Sequence, residues 1–249
     1  MGSNYTLGAG PAYGGSIYAG GLTSLTVRAC AFSQGYAQSG GNNALGGALY
    51  LAVANAAVTD CRIQGMGTTN DYVGDTCIAS GTVVMTNNLI ADNNGNGITA
   101  AGGTLSVINC TLAGNAGWGI TNGSATLAVT NSIVWANMLG GIKSNVTTSI
   151  AYSDVQEGAP PGVGNISQDP LFVDAVDGDY HVMSLAGSWH GGVWENDRQM
   201  SPCIDAGEPA PGSAYNLEPK PNGGRVNMGS YGNTPEASLT SRGTVIRIW

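Results

Sequence analysis

Charge is scarce in this chain. Of 249 residues, 8 are Lys or Arg and 16 are Asp or Glu, a tenth of the sequence, for a net charge of −8. With so few cations and no basic stripe, nucleic acid is not an expected partner. The same negative sign repels anionic polysaccharides unless a cation bridges them, and it serves solubility. The only histidines, His181 and His190, show no pairing for a metal or a catalytic triad. Five cysteines with no CxxC spacing argue against a full disulfide framework. No apolar run reaches the length of a membrane span, and these 249 residues show no secretory-leader pattern, which says nothing about export of the native chain.

What is abundant is glycine, 40 residues, beside an ordinary 42 % of apolar residues. Turn-rich β structure accounts for that combination. The segment TLSVINCTLAGNAGWGI, starting at Thr104, is followed 22 residues later by TLAVTNSIVWANMLGGI, starting at Thr126. Leu105/Leu127, Val107/Val129, Leu112/Val134, Asn115/Asn137 and Ile120/Ile142 coincide. A period near 22 with β-type alternation signals a solenoid.

Extending the repeat outward gives three inward columns. The first is Val27, Val58, Met85, Val107, Val129, Ile150, and the second Phe32, Ile63, Ile90, Leu112, Val134, Val155. The third reads Ile17, Leu49, Ile78, Ile98, Ile120, Ile142. A further inward position carries Cys30, Cys61, Asn88, Cys110, Ser132 and Ser153, where small thiols would pack as core. Three short strands per turn, stacked about 4.8 Å apart, predict an all-β fold, a parallel β-helix of about six coils. The preference of parallel crossovers makes it right-handed. Asn87, Asn109 and Asn131 fall at one corner, and Asn93, Asn115 and Asn137 at another. Asparagine tolerates unusual backbone angles there and can stack in a hydrogen-bonded ladder.

The coils are expected over residues 1–157. The Gly/Pro-rich stretch 158–165 then opens an irregular C-terminal segment, 158–249, expected to pack on the last coil and cap it. Residues 4–15 read like the tail of an earlier coil. That predicts a longer native chain, or an N-terminal end that stacks on a missing segment or another copy.

The period breaks where function is expected. Two adjacent coils carry long insertions, about 35–46 and 66–76, on one side of the column. Tyr18 and Tyr50 follow the third inward column directly, so they point outward and stack coil on coil. Tyr36 and Tyr72 lie in or beside the loops, with Asn42 and Asn43 nearby. Such groups suit a polysaccharide or cell-surface glycan, rings stacking on sugar faces and amides bonding to hydroxyls. Asp71 and Asp75 share the second loop and are the best acid pair for catalysis among the coils.

Beyond the coils, Tyr152-Ser153-Asp154-Val155-Gln156 is followed by DPLFVD (169–174), GDYH (178–181), SPCIDAG (201–207) and NGGRVNMGSYGNT (222–234). Together they resemble the C-terminal region of bacterial secreted right-handed parallel β-helix proteins, the pectate-lyase-like superfamily. The Gly46-Gly47-Ala48-Leu49-Tyr50 motif also looks like repeats of polymorphic outer-membrane proteins. The resemblance implies export, to the medium or the cell surface. It implies no single reaction, because the superfamily includes lyases, hydrolases and adhesins. Its enzymes typically gather acidic residues around calcium with an Arg or Lys as base. The coils here offer only Asp60, Asp71, Asp75, Asp92, Asp154 and Glu157 against Arg28, Arg62 and Lys143, with no metal motif; calcium is the one cofactor the enzyme reading calls for. The leading expectation is a carbohydrate-binding module. A polysaccharide lyase or glycoside hydrolase and a structural stalk or adhesin are the alternatives.

Overall fold

The computed structural model describes residues 3–6, 12–39, 44–68, 74–209 and 215–241. Among these there is no helix; short strands stack in parallel as a β-helix. A ten-stranded sheet forms two walls of each coil. It runs from Ile17–Gly20 and Ser24–Arg28 in the first coil to Gly140–Ser144 and Ser149–Ala151 in the sixth, and in the second and third coils one strand, Leu49–Thr59 or Thr76–Thr86, spans both walls. A six-stranded sheet of three-residue strands, from Ala31–Ser33 to Asp154–Val155, forms the third wall. Residues of successive coils pair in register, Val27 on Val58 on Met85 on Val107 on Val129 on Ile150. The second column, Phe32 to Val155, pairs likewise. Both lie in one continuous core.

The third column differs at one rung. Thr76, not Ile78, stands between Leu49 and Ile98, while Ile78 pairs with Leu51 and Ala100 two residues further on. Thr76 is fully buried and its hydroxyl has no partner. The apolar Ile78 attracts the reading by hydrophobicity alone, but hydrogen-bond registry sets the rung.

Each short strand of the third wall lies between two left-handed corners. The first corner is Ala29, Asp60, Asn87, Asn109, Asn131 and Tyr152, with φ from 47° to 55°. The second is Gln34, Gly65, Asp92, Gly114, Ala136 and Glu157, with φ from 55° to 67°. Side chains other than Asn, Asp and Gly adopt this region at a cost. Stacking in register enforces it on every coil, including Ala29 and Tyr152. At the first corner the expected asparagine ladder is partial, Asn131 Nδ2 donating to Asn109 Oδ1 at 3.3 Å while Asn87 bonds to the C-terminal segment. The complete and buried ladder lies just inside the second corner. Asn93 Nδ2 donates to Asn115 Oδ1 at 2.9 Å, and Asn115 Nδ2 to Asn137 Oδ1 at 2.8 Å.

The loop-bearing side adds small parallel sheets. Ser3–Thr6 pairs with Tyr36–Ser39, which pairs with Gly67–Thr68, and Ala12–Tyr13 pairs with Ala44–Leu45. Residues 3–6 and 12–13 therefore stack as the loop side of a preceding rung, as their sequence suggested.

The C-terminal segment begins on the last coil, where Ile166 bridges Asp154 and Asn165 accepts the Ser153 amide. Residues 163–168 lie over the third wall of that coil as a partial further rung, with Tyr152 N donating to Val163 O, Val155 N to Ile166 O and Gln168 N to Asp154 Oδ1. This stretch caps the last coil as expected, while the rest of the segment leaves that end. It runs back along the outer face of the six-stranded sheet from the sixth coil to the second. Cys203 donates to Asp154, Gly229 N to Asn131 O, Ser230 N to Thr111 Oγ1, and Arg62 to the Gly178 carbonyl. Asn87 Nδ2 donates to the carbonyls of Ser230 and Gly232. Ile133, Val182, Cys203, Ile204 and Met228 bury one apolar seam, and Leu89, Ala91, Ala113 and Tyr180 another. The third wall carries Leu89, Ala91, Ala113 and Ile133 in these seams, and bracing it removes them from water. Arg225 donates to the Ala206 and Gly207 carbonyls, and Asp205 accepts from Gly223 N and Thr240.

Candidate functional site

Alternation along each strand sends Ile17 and Leu49 into the core and Tyr18 and Tyr50 outward. Registry places the two tyrosines on consecutive rungs. Their rings stack, with centroids 5.4 Å apart and planes 11° from parallel. Tyr13 joins them, 4.6 Å from the Tyr50 ring and 6.0 Å from that of Tyr18. Tyr18 is 58 % exposed, so one edge of the cluster faces solvent. The Tyr50 hydroxyl is pushed above its usual value by burial and by the neighbouring Cys77, so the phenol stays protonated.

The same outward column continues through Cys77, Thr99, Thr121 and Lys143. Cys77 is buried, and burial pushes its thiol up to about 12, which removes it as a nucleophile. Thr99 and Thr121 share a 3.1 Å hydrogen bond. They open into a trough of about 350 Å³ with Asn122, Lys143 and Asn145. Five rungs separate Tyr18 from Lys143, about 24 Å. No strand of the ten-stranded sheet contains an Asp or Glu, and Arg28 and Lys143 are its only charges, in a chain of net charge −8.

Of the other sequence candidates, Tyr36 is not part of this cluster. It lines a separate cleft at the second corner. Asp71, Tyr72, Asn42 and Asn43 lie outside the described residues. Asp75 lies beneath the surface. It is fully buried, its Oδ2 accepts the Gly95 amide at 3.2 Å, and Oδ1 has no partner. The carboxylate fits only because the neighbouring position is Gly47, where a Cβ would overlap Oδ1. Burial pushes its pKa up to about 7. A carboxyl with no exposed atom does not reach a bound substrate in this arrangement.

Tyr13 escaped the sequence reading. The Gly-Gly pairs at 14–15 and 46–47 align the two coils, and the residue before each pair, Tyr13 or Leu45, is thereby placed beside the tyrosine rungs. Two apparent catalytic groupings do not survive inspection. Ser188, His190 and Asp197 meet, but the serine and the carboxylate both contact Nε2 of the histidine, at 2.9 and 3.1 Å. A relay needs them on opposite nitrogens. His181 lies between Asp179 and Glu236 and stacks on Tyr231, where it ties the C-terminal segment together. The stacked cysteines are free thiols, and Cys30, expected in the core, is exposed. Among the described residues, no three His, Cys, Asp or Glu side chains gather as a metal site would require, and no helix is long and apolar enough to cross a membrane.

Parallel coils of three walls, an inner asparagine ladder and an outward tyrosine stack define a single-chain β-solenoid. The chain belongs to the right-handed β-helix family, whose model, described as a right-handed beta helix region, matches residues 9–154; the coils accordingly wind right-handed. No curated protein and no solved structure matches it.

Proposed function

We propose that this protein is an extracellular or cell-surface module that binds carbohydrate along the outer face of its ten-stranded sheet. The observation that carries the proposal is the tyrosine stack of Tyr13, Tyr18 and Tyr50 on a rigid ladder, with Tyr18 exposed and the other two half-buried. Aromatic rings held at fixed spacing offer apolar faces to sugar C–H groups and hydroxyls to their polar edges. Below the stack, the threonines and the Asn122/Asn145 trough add hydrogen-bonding groups on the same column. The sheet is preorganised by its backbone ladder, so ordering costs on binding fall mainly on the ligand. The extracellular location rests on the likeness of the C-terminal motifs to those of secreted β-helix proteins.

A glycan array probed with the full chain tests this. Binding to at least one polysaccharide or oligosaccharide class is expected, and Tyr18→Ala and Tyr50→Ala should each weaken it by about tenfold. Tyr18 is largely exposed, so its replacement should leave the melting curve unchanged. No binding on the array, or equal binding by the variants, would remove the reading.

A further inference from the structure

We infer that the cleft at the second corner, on the opposite side of the loops from the tyrosine stack, is a separate binding site for one saccharide ring, organised by Asp92. Asp92 stands in the left-handed corner column with a glycine on each side, Gly65 on the preceding coil and Gly114 on the following one. The Gly114 side is filled. Tyr180 of the C-terminal segment enters there and donates its hydroxyl to Asp92 Oδ1 at 2.6 Å, and a Cβ on Gly114 would stand 2.9 Å from that hydroxyl. On the other side, a Cβ on Gly65 would meet nothing within 4 Å. That open space is a cleft of about 300 Å³ lined by Gln34, Tyr36, Met66, Asp92 and Asn94. The volume lies at the small end of ligand sites.

The carboxylate is oriented before any ligand arrives. Tyr180 holds one oxygen, and Gln64 Nε2 donates to the other at 2.6 Å. An ionised carboxylate has about four acceptor positions, so roughly two remain. Asp92 borders a cleft that also offers the side-chain amides of Gln34 and Asn94 and the ring of Tyr36. Adjacent hydroxyls on one sugar ring match such a pair of acceptors, and the tyrosine supplies the apolar face. Tyr180 is a positioning residue; its reach across 88 residues of sequence makes the C-terminal brace part of the site. This site is independent of the tyrosine stack, so either can fail alone.

NMR titration of the full, ¹⁵N-labelled chain with the methyl glycosides of glucose, galactose and mannose, and with tetramethylammonium as a cationic probe, tests the assignment. At least one glycoside should shift the amides of Gly35, Gly65, Gly67 and Asn94. Asp92→Asn should weaken that binding by about tenfold or more, Tyr180→Phe by a smaller factor, and Tyr18→Ala not at all. In the Asp92→Asn background, Tyr180→Phe should add nothing, because it acts through the carboxylate; a purely structural Tyr180 would add its effect in both backgrounds. Melting curves of each variant confirm the fold. If no glycoside shifts these amides, if Asp92→Asn binds equally well, or if only tetramethylammonium binds, the proposal is wrong.

Discussion

Asn115→Ala should lower the stability of the protein by about 4 kcal/mol, a large part of what a domain normally has. Asn115 is buried in the middle of the ladder. Its Oδ1 accepts from the backbone and side-chain nitrogens of Asn93, and its Nδ2 donates to the Ile90 carbonyl and to Asn137 Oδ1. Truncation strands these groups in a dry interior, at about 1–3 kcal/mol each, and the loss is partial only where neighbours re-pair. A coil touches only its neighbours, so a broken rung also weakens the interfaces above and below. Urea unfolding measures the loss as a lower midpoint at an unchanged slope. A change under about 1 kcal/mol would show that the ladder is ornamental and that apolar columns alone hold the coils.

The second large effect concerns pH. The Asp75 carboxyl is raised from 3.8 to about 7 in the folded chain by burial, with the Gly95 amide opposing the rise. Between those values the folded protein keeps a proton that the unfolded chain has released. Stability from this group is therefore complete below about pH 4 and is lost as pH rises through about 7. At pH 8 the loss is about 4 kcal/mol, three units of pKa at about 1.4 kcal/mol each. Asp154, raised to about 6, and Glu218, raised to about 7, are shifted mainly by burial and act in the same direction. Asp179 acts oppositely: its burial is outweighed by hydrogen bonds to His181, which leave it below the usual carboxylate range. Wild-type melting temperature should fall between pH 5 and pH 8. In Asp75→Asn, uncharged and nearly isosteric, the fall should be much smaller, with the variant the more stable protein at pH 8. Parallel pH curves for the two proteins would mean that Asp75 is solvated and ionised without cost.

The fold was legible because β-helix physics repeats. Val27 to Ile150 and Phe32 to Val155 could be read as columns since each coil must bury the same positions, and the outward tyrosines followed from alternation alone. Thr76 was misplaced because a buried threonine beside a buried aspartate looks like loop, and only backbone pairing reveals it as a rung. The C-terminal segment has no period. Its apolar residues announced a covered surface, but not which one, and the wall it braces is set by corner carbonyls and asparagines far away in sequence. For the same reason the Asp92–Tyr180 pair left no sequence signal, while Tyr36, grouped with the other tyrosines by proximity in sequence, belongs to a different side of the coil.

The central claim, that the tyrosine-bearing sheet is a saccharide surface, is tested most directly by NMR of the full chain with ring-labelled tyrosine, titrated with the best saccharide from the array. Saturable shifts of the Tyr18 and Tyr50 rings, with the amides of Thr99 and Thr121 following for longer oligomers, are the predicted result. A saccharide that binds while both rings stay unmoved would contradict it.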